Sequence, residues 1–218
     1  MRKPDSITFT GLDARTDLRR AVAIARAYPV EFAFLLSPKR QGQDRRYPGG
    51  ETLSAIMWSP LISLRLAAHV CGSHSRDIMA SGPCRGLPVD IGFCKRVQVN
   101  HEAPVAGCIH QFARNWGVRG IAQTREAFPA DRRVDWLFDR SAGSGQMPGE
   151  WPRHPGGDQL VGYAGGIGPD NVADVLRLIN SDGPYWICME SGVRTDDWLN
   201  LDKVEAVCRA VYGEACHG

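Results

Sequence analysis

The 218-residue sequence lacks an excess of charge of either sign: 26 Lys and Arg stand against 24 Asp and Glu, a formal net charge of +2. That balance leaves no electrostatic footprint for duplex nucleic acid or an anionic membrane surface, so neither is an expected partner. Long apolar runs are missing too. The two positive charges near Met1 are followed by Ile7, Phe9 and Leu12 interspersed with Thr, Gly and Asp, which makes no signal-peptide apolar region, and no stretch approaches the length that spans a bilayer. The expected location is the cytoplasm. No CxxC pair occurs among Cys71, Cys84, Cys94, Cys108, Cys188, Cys208 and Cys216, an odd number placed partly in apolar runs, which favours reduced and mostly buried thiols. His69, Cys71, His74 and Cys84 carry zinc-ligand chemistry, but their spacing fits no common zinc template, and neither a metal nor an organic cofactor is expected. Fixed-period repeats and low-complexity tracts are absent, and no G-x-G-x-x-G follows the first apolar run, which removes the main signal of an open dinucleotide-binding sheet.

What the chain does have is a train of short runs rich in Val, Ile, Leu and Phe, separated by helical or loop segments. Eight such runs are expected strands: Ser6 to Thr10, Val30 to Leu36, Ser63 to Val70, Arg96 to Asn100, Gly120 to Gln123, Val134 to Phe138, Leu160 to Ala164 and Tyr185 to Met189. Helices are clearest over Thr16 to Tyr28, with Pro29 as its stop, Pro169 to Ile179, with Pro169 in its first turn, and Asn200 to Val211. Eight strands in 218 residues suit a single-domain, compact TIM (β/α)8 barrel, an α/β fold, with some helices shortened or replaced by loops. The polar, Gly- and Pro-rich stretch from Arg140 to Asp158 reads as a long loop on the active face and not as a linker.

Chemistry concentrates where these strands end. Leu160 to Val172 runs from a strand through Gly165 and Gly166 into a helix start, where bare backbone N–H groups favour an anion; the alternative is a pair of tight structural turns. Glu190, Ser191, Gly192, Val193 and Arg194 close the eighth strand in the same manner. In a barrel these are strands seven and eight, whose loops commonly hold phosphate. Asp139, ahead of a Gly- and Ser-rich loop, is placed for acid or base work or for capping that loop. Lys39 and Arg40, continuing to Arg45 and Arg46, form a basic rim that suits an anionic small molecule or merely solvent, and Asn100 or His101 reaches the same rim from strand four.

In order along most of the chain, these segments resemble the phosphoribosylanthranilate isomerase family. Its K-I-C-G-I is similar to Thr8-Phe9-Thr10-Gly11-Leu12, its F-x-x-x-S-P-R to Phe34 through Arg40, and its V-Q-L-H-G-D-E to Val97 through Glu102. Its L-L-D and G-G-T-G resemble Leu137-Phe138-Asp139 and Ala142-Gly143-Ser144-Gly145; its L-A-G-G-L-x-P-x-N-V resembles Tyr163 through Val172, the most specific piece, and its S-S-G-V-E resembles Glu190 through Arg194. The resemblance implies an intramolecular oxidoreductase of the Amadori type, with Asp139 as the general acid that opens the ribose ring and with Gly165, Gly166, Ser191 and Gly192 as the phosphate cradle. Two positions depart from that pattern. Thr10 stands where the family has its cysteine base, and a hydroxyl is far too weak an acid to replace a thiolate. Glu190 replaces the first cradle serine, putting a negative charge beside the anion site, with Arg194, Lys39 or Arg40 as its offset.

The expectation is an acid–base isomerase, or a related lyase or hydrolase, for a small phosphorylated sugar-like metabolite, and not the tryptophan-pathway reaction itself. Asp139 and Glu190 would then be the two carboxylates, with Thr10 in the catalytic set. The alternatives are a non-catalytic barrel that binds phosphate or another small ligand, and a protein-interaction scaffold using Trp58, Trp116, Trp136, Trp151, Trp186 and Trp198. Convergence of Asp139 and Glu190 on one pocket separates an enzyme from a scaffold.

Overall fold

A computed structural model describes residues 2–59, 63–80, 84, 86–141 and 145–214. Eight parallel strands close into one barrel: β1 (Ser6–Thr10), β2 (Val30–Leu36), β3 (Leu66–Val70), β4 (Arg96–Val99), β5 (Arg119–Thr124), β6 (Asp135–Asp139), β7 (Val161–Ala164) and β8 (Tyr185–Met189). The seam is sealed by β1 on β8, with Ile7 opposite Ile187 and Phe9 opposite Met189. All positions of β1, β2 and β8 are buried, as expected of parallel strands covered on both faces.

Among the described residues six α-helices pack outside: α1 (Leu18–Ala27), α2 (Gly50–Met57), α3 (Ser73–Met79), α4 (Ala106–Asn115), α5 (Val172–Ile179) and α6 (Leu201–Tyr212). Asp17 caps α1 by accepting from the N–H groups of Arg19 and Arg20, and Asn200 caps α6 in the same way. Three of the six, α2, α3 and α4, lie outside the sequence expectation; α3 has only seven residues, too few to display a period. Pro169 is also a correction: it sits in a turn ahead of α5, which begins at Val172 after Asn171. Among the described residues no α-helix joins β5 to β6 or β6 to β7, so loops take that side of the barrel. A small antiparallel pair, β9 (Arg194–Thr195) and β10 (Trp198–Leu199), follows β8.

The outer core lies between strands and helices and contains Phe9, Phe32, Phe34, Val97, Val175 and Val207, among others. A smaller cluster of Ile121, Leu137, Ala164, Trp186 and Cys188 fills the barrel interior. Room for Trp186 comes from Gly162, since a Cβ there would lie 2.4 Å from the indole. Beneath this cluster Arg96 donates to Glu31 at 2.7 Å and to Thr8 Oγ1 at 2.9 Å, and its guanidinium lies 4.4 Å from the centre of the Trp186 ring. Of the tryptophans, Trp136 and Trp186 are buried, and Trp58 alone is strongly exposed, edge-on to Phe93. No helix among the described residues is long and apolar enough to cross a membrane.

Candidate active site

Side chains two apart on a strand share a face, so the strands that send Thr8, Arg96 and Trp186 into the lower barrel send Thr10, Gln98 and Cys188 into the upper barrel. These border a cavity of about 240 Å³ at the carboxyl ends of the strands, together with His69, Gln123, Asp139 and Glu190. The two carboxylates singled out in the sequence thus face one space.

Asp139 is 9% exposed and held from both sides. Its Oδ1 accepts from the Ser141 N–H at 3.0 Å and the Ser141 hydroxyl at 2.6 Å; its Oδ2 accepts from Gln123 Nε2 at 3.3 Å. One oxygen therefore caps the following loop, as the capping alternative expects, while the other accepts from Gln123, and the side chain borders the cavity. Glu190 borders the cavity from the end of β8, with Arg46 Nη1 3.6 Å from its Oε1. Burial raises the Glu190 pKa, against the pull of Arg194 and Arg46, and the like charge of Asp139 pushes the same way as burial.

The two glycine turns meet. A Cβ on Gly192 would lie 2.1 Å from Ile167 O, so these loops touch backbone to backbone and only glycine fits. Gly166 has φ +63°, and its turn is covered by the chain at Gln146 and Met147. Asn171 ties the turn together, accepting from the Gly168 N–H at 2.8 Å and donating to Gly166 O at 2.8 Å. The N–H groups of Gly165 and Gly166 form no hydrogen bond among the described residues, which leaves two donors beside the cavity, whereas Gly192 lies just behind its lining at the start of a short 3-10 turn (Ser191–Val193).

The other expected site residues divide. Asn100, His101, Gly145, Gly165, Gly166 and Ser191 border the same cavity as Asp139. Lys39 and Arg40 do not: they line a neighbouring basic recess with Arg46 and Arg76, which shares Asn100, Arg46 and Glu190 with the first. Arg194 is buried to one side against Gly11, with Nη1 3.8 Å from Asp13 Oδ2 and no hydrogen-bond partner at Nε or Nη2. It is near enough to Glu190 to lower that group's pKa, but it borders neither recess. His101 bonds locally, its Nδ1 3.0 Å from Ala103 O. Gly143 and Ser144 lie outside the described residues. Cys71 receives a bond from Asn100 Nδ2 at 3.2 Å, and among the described residues no three of His, Cys, Asp and Glu gather as metal ligands.

Sequence reasoning missed His69, Gln98, Gln123 and Cys188 as cavity residues. The available signal was polarity at barrel-facing parity, a polar side chain inside an otherwise apolar strand with its neighbours on either side pointing outward.

Solved phosphoribosylanthranilate isomerases share this architecture. One, determined in complex with reduced 1-(o-carboxyphenylamino)-1-deoxyribulose 5-phosphate, matches at 13% identity and TM-score 0.59, covering 97% of this chain and 100% of its own. The enzyme from Thermotoga maritima matches at 13% and 0.59 over the same shares, and that from Pyrococcus furiosus at 14% and 0.58, over 95% of this chain and 98% of its own. No family model and no curated protein sequence matches the chain. At such identities the likeness is one of fold.

Proposed function

We propose that this barrel is an acid–base isomerase for a small phosphorylated, sugar-like metabolite. The observation that carries the reading is the convergence of Asp139 and Glu190 on one cavity whose rim holds the unbonded N–H groups of Gly165 and Gly166. A phosphate is the natural occupant of such a rim, because converging backbone donors favour an anion without carrying a counter-charge of their own. The basic recess beside it, with Lys39, Arg40 and Arg76, suits a second anionic group of the same ligand.

In the proposed reaction Asp139 gives a proton to the ring oxygen as the furanose C1–O bond breaks, and takes back the proton of the anomeric hydroxyl, which leaves the open aldehyde. Glu190 takes the C2 proton; the electron pair of that C–H bond forms the C1–C2 double bond, and the carbonyl pair moves onto O1 as the enediolate. The O2 proton passes to O1 and Glu190 returns its proton to C1, which gives the 2-ketose and restores both carboxyl groups. Desolvation of Glu190 makes its carboxylate a stronger proton acceptor than one in water. The tryptophan-pathway reaction itself is not proposed, since Thr10 is no substitute for a thiolate base.

The test is titration with ribose 5-phosphate, followed by amide NMR and thermal melting. Expected are shifts at Gly165, Gly166 and Gly192 and a rise in Tm at millimolar ligand. Absence of both would overturn the phosphate reading. Turnover of a phosphorylated aldose that falls about 10²- to 10⁴-fold in Asp139→Asn supports the enzyme, whereas binding with no turnover across a panel of such sugars favours the ligand-binding barrel. The wild-type chain is expected not to rescue a tryptophan auxotroph that lacks the isomerase.

A further inference from the structure

On the cavity floor three side chains from three strands form a row. Thr10 Oγ1 of β1 lies 3.5 Å from Cys188 Sγ of β8 and 3.5 Å from His69 Nδ1 of β3. All three border the cavity, and none was needed for the reaction proposed above. The direction of the protons in this row follows from donor and acceptor strengths. Burial pushes the Cys188 thiol up to about 12, so it keeps its hydrogen at neutral pH. A thiol sulfur is a poor acceptor and an imidazole nitrogen a good one, so the single Thr10 hydroxyl proton goes to His69 Nδ1 and the thiol donates to Thr10 Oγ1. The ring proton of His69 is then on Nε2. Among the described residues that nitrogen has no hydrogen-bond partner, nor is it among the sealed polar atoms that lack partners, and its ring borders the cavity.

We infer that His69 is a neutral hydrogen-bond donor of the site, its Nε2–H presented to an oxygen of the ligand, and that Thr10 is the positioning residue that sets this tautomer. The inference deepens the isomerase reading and rests on it for the ligand: the oxygen is the one that becomes an enolate when Glu190 removes the neighbouring proton. His69 keeps its own proton throughout and moves no charge. Neutrality is enforced by the surroundings. Burial and the Arg96 guanidinium below depress the ring pKa to about 3, while Thr10 and Cys188 beside it are uncharged. A neutral donor does not hand over its proton as an imidazolium would, so it stabilises developing charge without ending the reaction early. The threonine at position 10 thus acquires a role that needs no acidity.

The test is imidazole ¹⁵N NMR on the full chain, which reads the tautomer without any ligand. Expected at pH 7 are a protonated Nε2 and a bare Nδ1 at His69, unchanged down to pH 5. Thr10→Ser should keep this pattern, and Thr10→Val should mix the tautomers without protonating the ring. An Nδ1–H tautomer or an imidazolium at pH 7 overturns the inference. Ribose 5-phosphate is then added. If it moves the Gly165 and Gly166 amides and the His69 Nε2–H together, the inference stands, and His69→Gln should bind it about three- to tenfold more weakly. Movement of the glycine amides alone overturns the His69 inference and leaves the phosphate reading intact. If neither moves, the phosphate reading fails and the tautomer decides the rest. Should His69→Gln fail to fold, Thr10→Val gives the tautomer readout by itself.

Discussion

The lower and upper halves of the barrel interior are built from the same strands and differ by two residues along each. Below, Thr8, Glu31 and Arg96 form bonds of 2.7 to 3.2 Å with the guanidinium over Trp186. Above, Thr10, His69 and Cys188 sit at 3.5 Å, and Glu190 meets Arg46 at 3.6 Å. The lower layer pairs its two charged groups with each other, Arg96 Nε and Nη2 both reaching the Glu31 carboxylate; the upper layer leaves donors and a carboxylate facing an open cavity. Buried polar groups that are fully paired fix a structure, and those left partly unpaired are available to a ligand.

That contrast is broken most severely from below. Arg96→Met leaves Glu31 as an uncompensated charge at 1% exposure, and is expected to cost about 3–5 kcal/mol in urea denaturation. A loss below about 1 kcal/mol would show that the lower network is not what holds the barrel. Next comes Gly192→Ala, which drives a methyl into Ile167 O; overpacking of about 1–3 kcal/mol is expected, together with loss of the ribose 5-phosphate amide shifts.

The third test uses pH. His69 is depressed to about 3 in the fold against 6.5 when free, so the unfolded chain binds the extra proton below 6.5. Its neutrality therefore contributes stability that is complete above pH 6.5 and is lost as pH falls toward 3. The wild type should lose about 2 kcal/mol relative to His69→Gln between pH 8 and pH 5, read from paired urea titrations. Parallel curves would mean that the ring is not desolvated. The smallest effect is expected at Glu190, whose raised pKa has the opposite sign: its ionisation costs stability as pH rises past 4.5. Glu190→Gln should raise Tm slightly at pH 7, by no more than about 1 kcal/mol in ΔG given the partial exposure of the side chain. A fall in Tm would mark Glu190 as a structural partner of Arg46, and the upper layer would then resemble the lower.

Much of this fold was legible in the residues themselves. β1, β2 and β8 have the expected bounds, because each is a compact run rich in β-branched, aromatic and aliphatic residues with a clear stop, whereas β3 begins at Leu66 and not at Ser63. α2 and α4 escaped notice because Gly50 and Gly107 and the polar residues around them dilute the helical period. At the site, Asp139 and the glycine turns stood out through local chemistry. His69 did not: it drew notice only as zinc-ligand chemistry of unsuitable spacing with Cys71, although alternation along β3 sends it toward the barrel axis.

Local sequence thus determined the strands, their order and the loops that carry carboxylates and glycines, because apolar runs, turn residues and strand ends are properties of neighbours in the chain. Only the closed barrel decided which side chains meet. Thr10 lies 59 residues from His69 and 178 from Cys188 along the chain, and nothing local specifies their contact. Closure of β1 on β8, and the alternation that turns every second residue inward, brings them to one floor and sets Nδ1 of His69 beside Thr10.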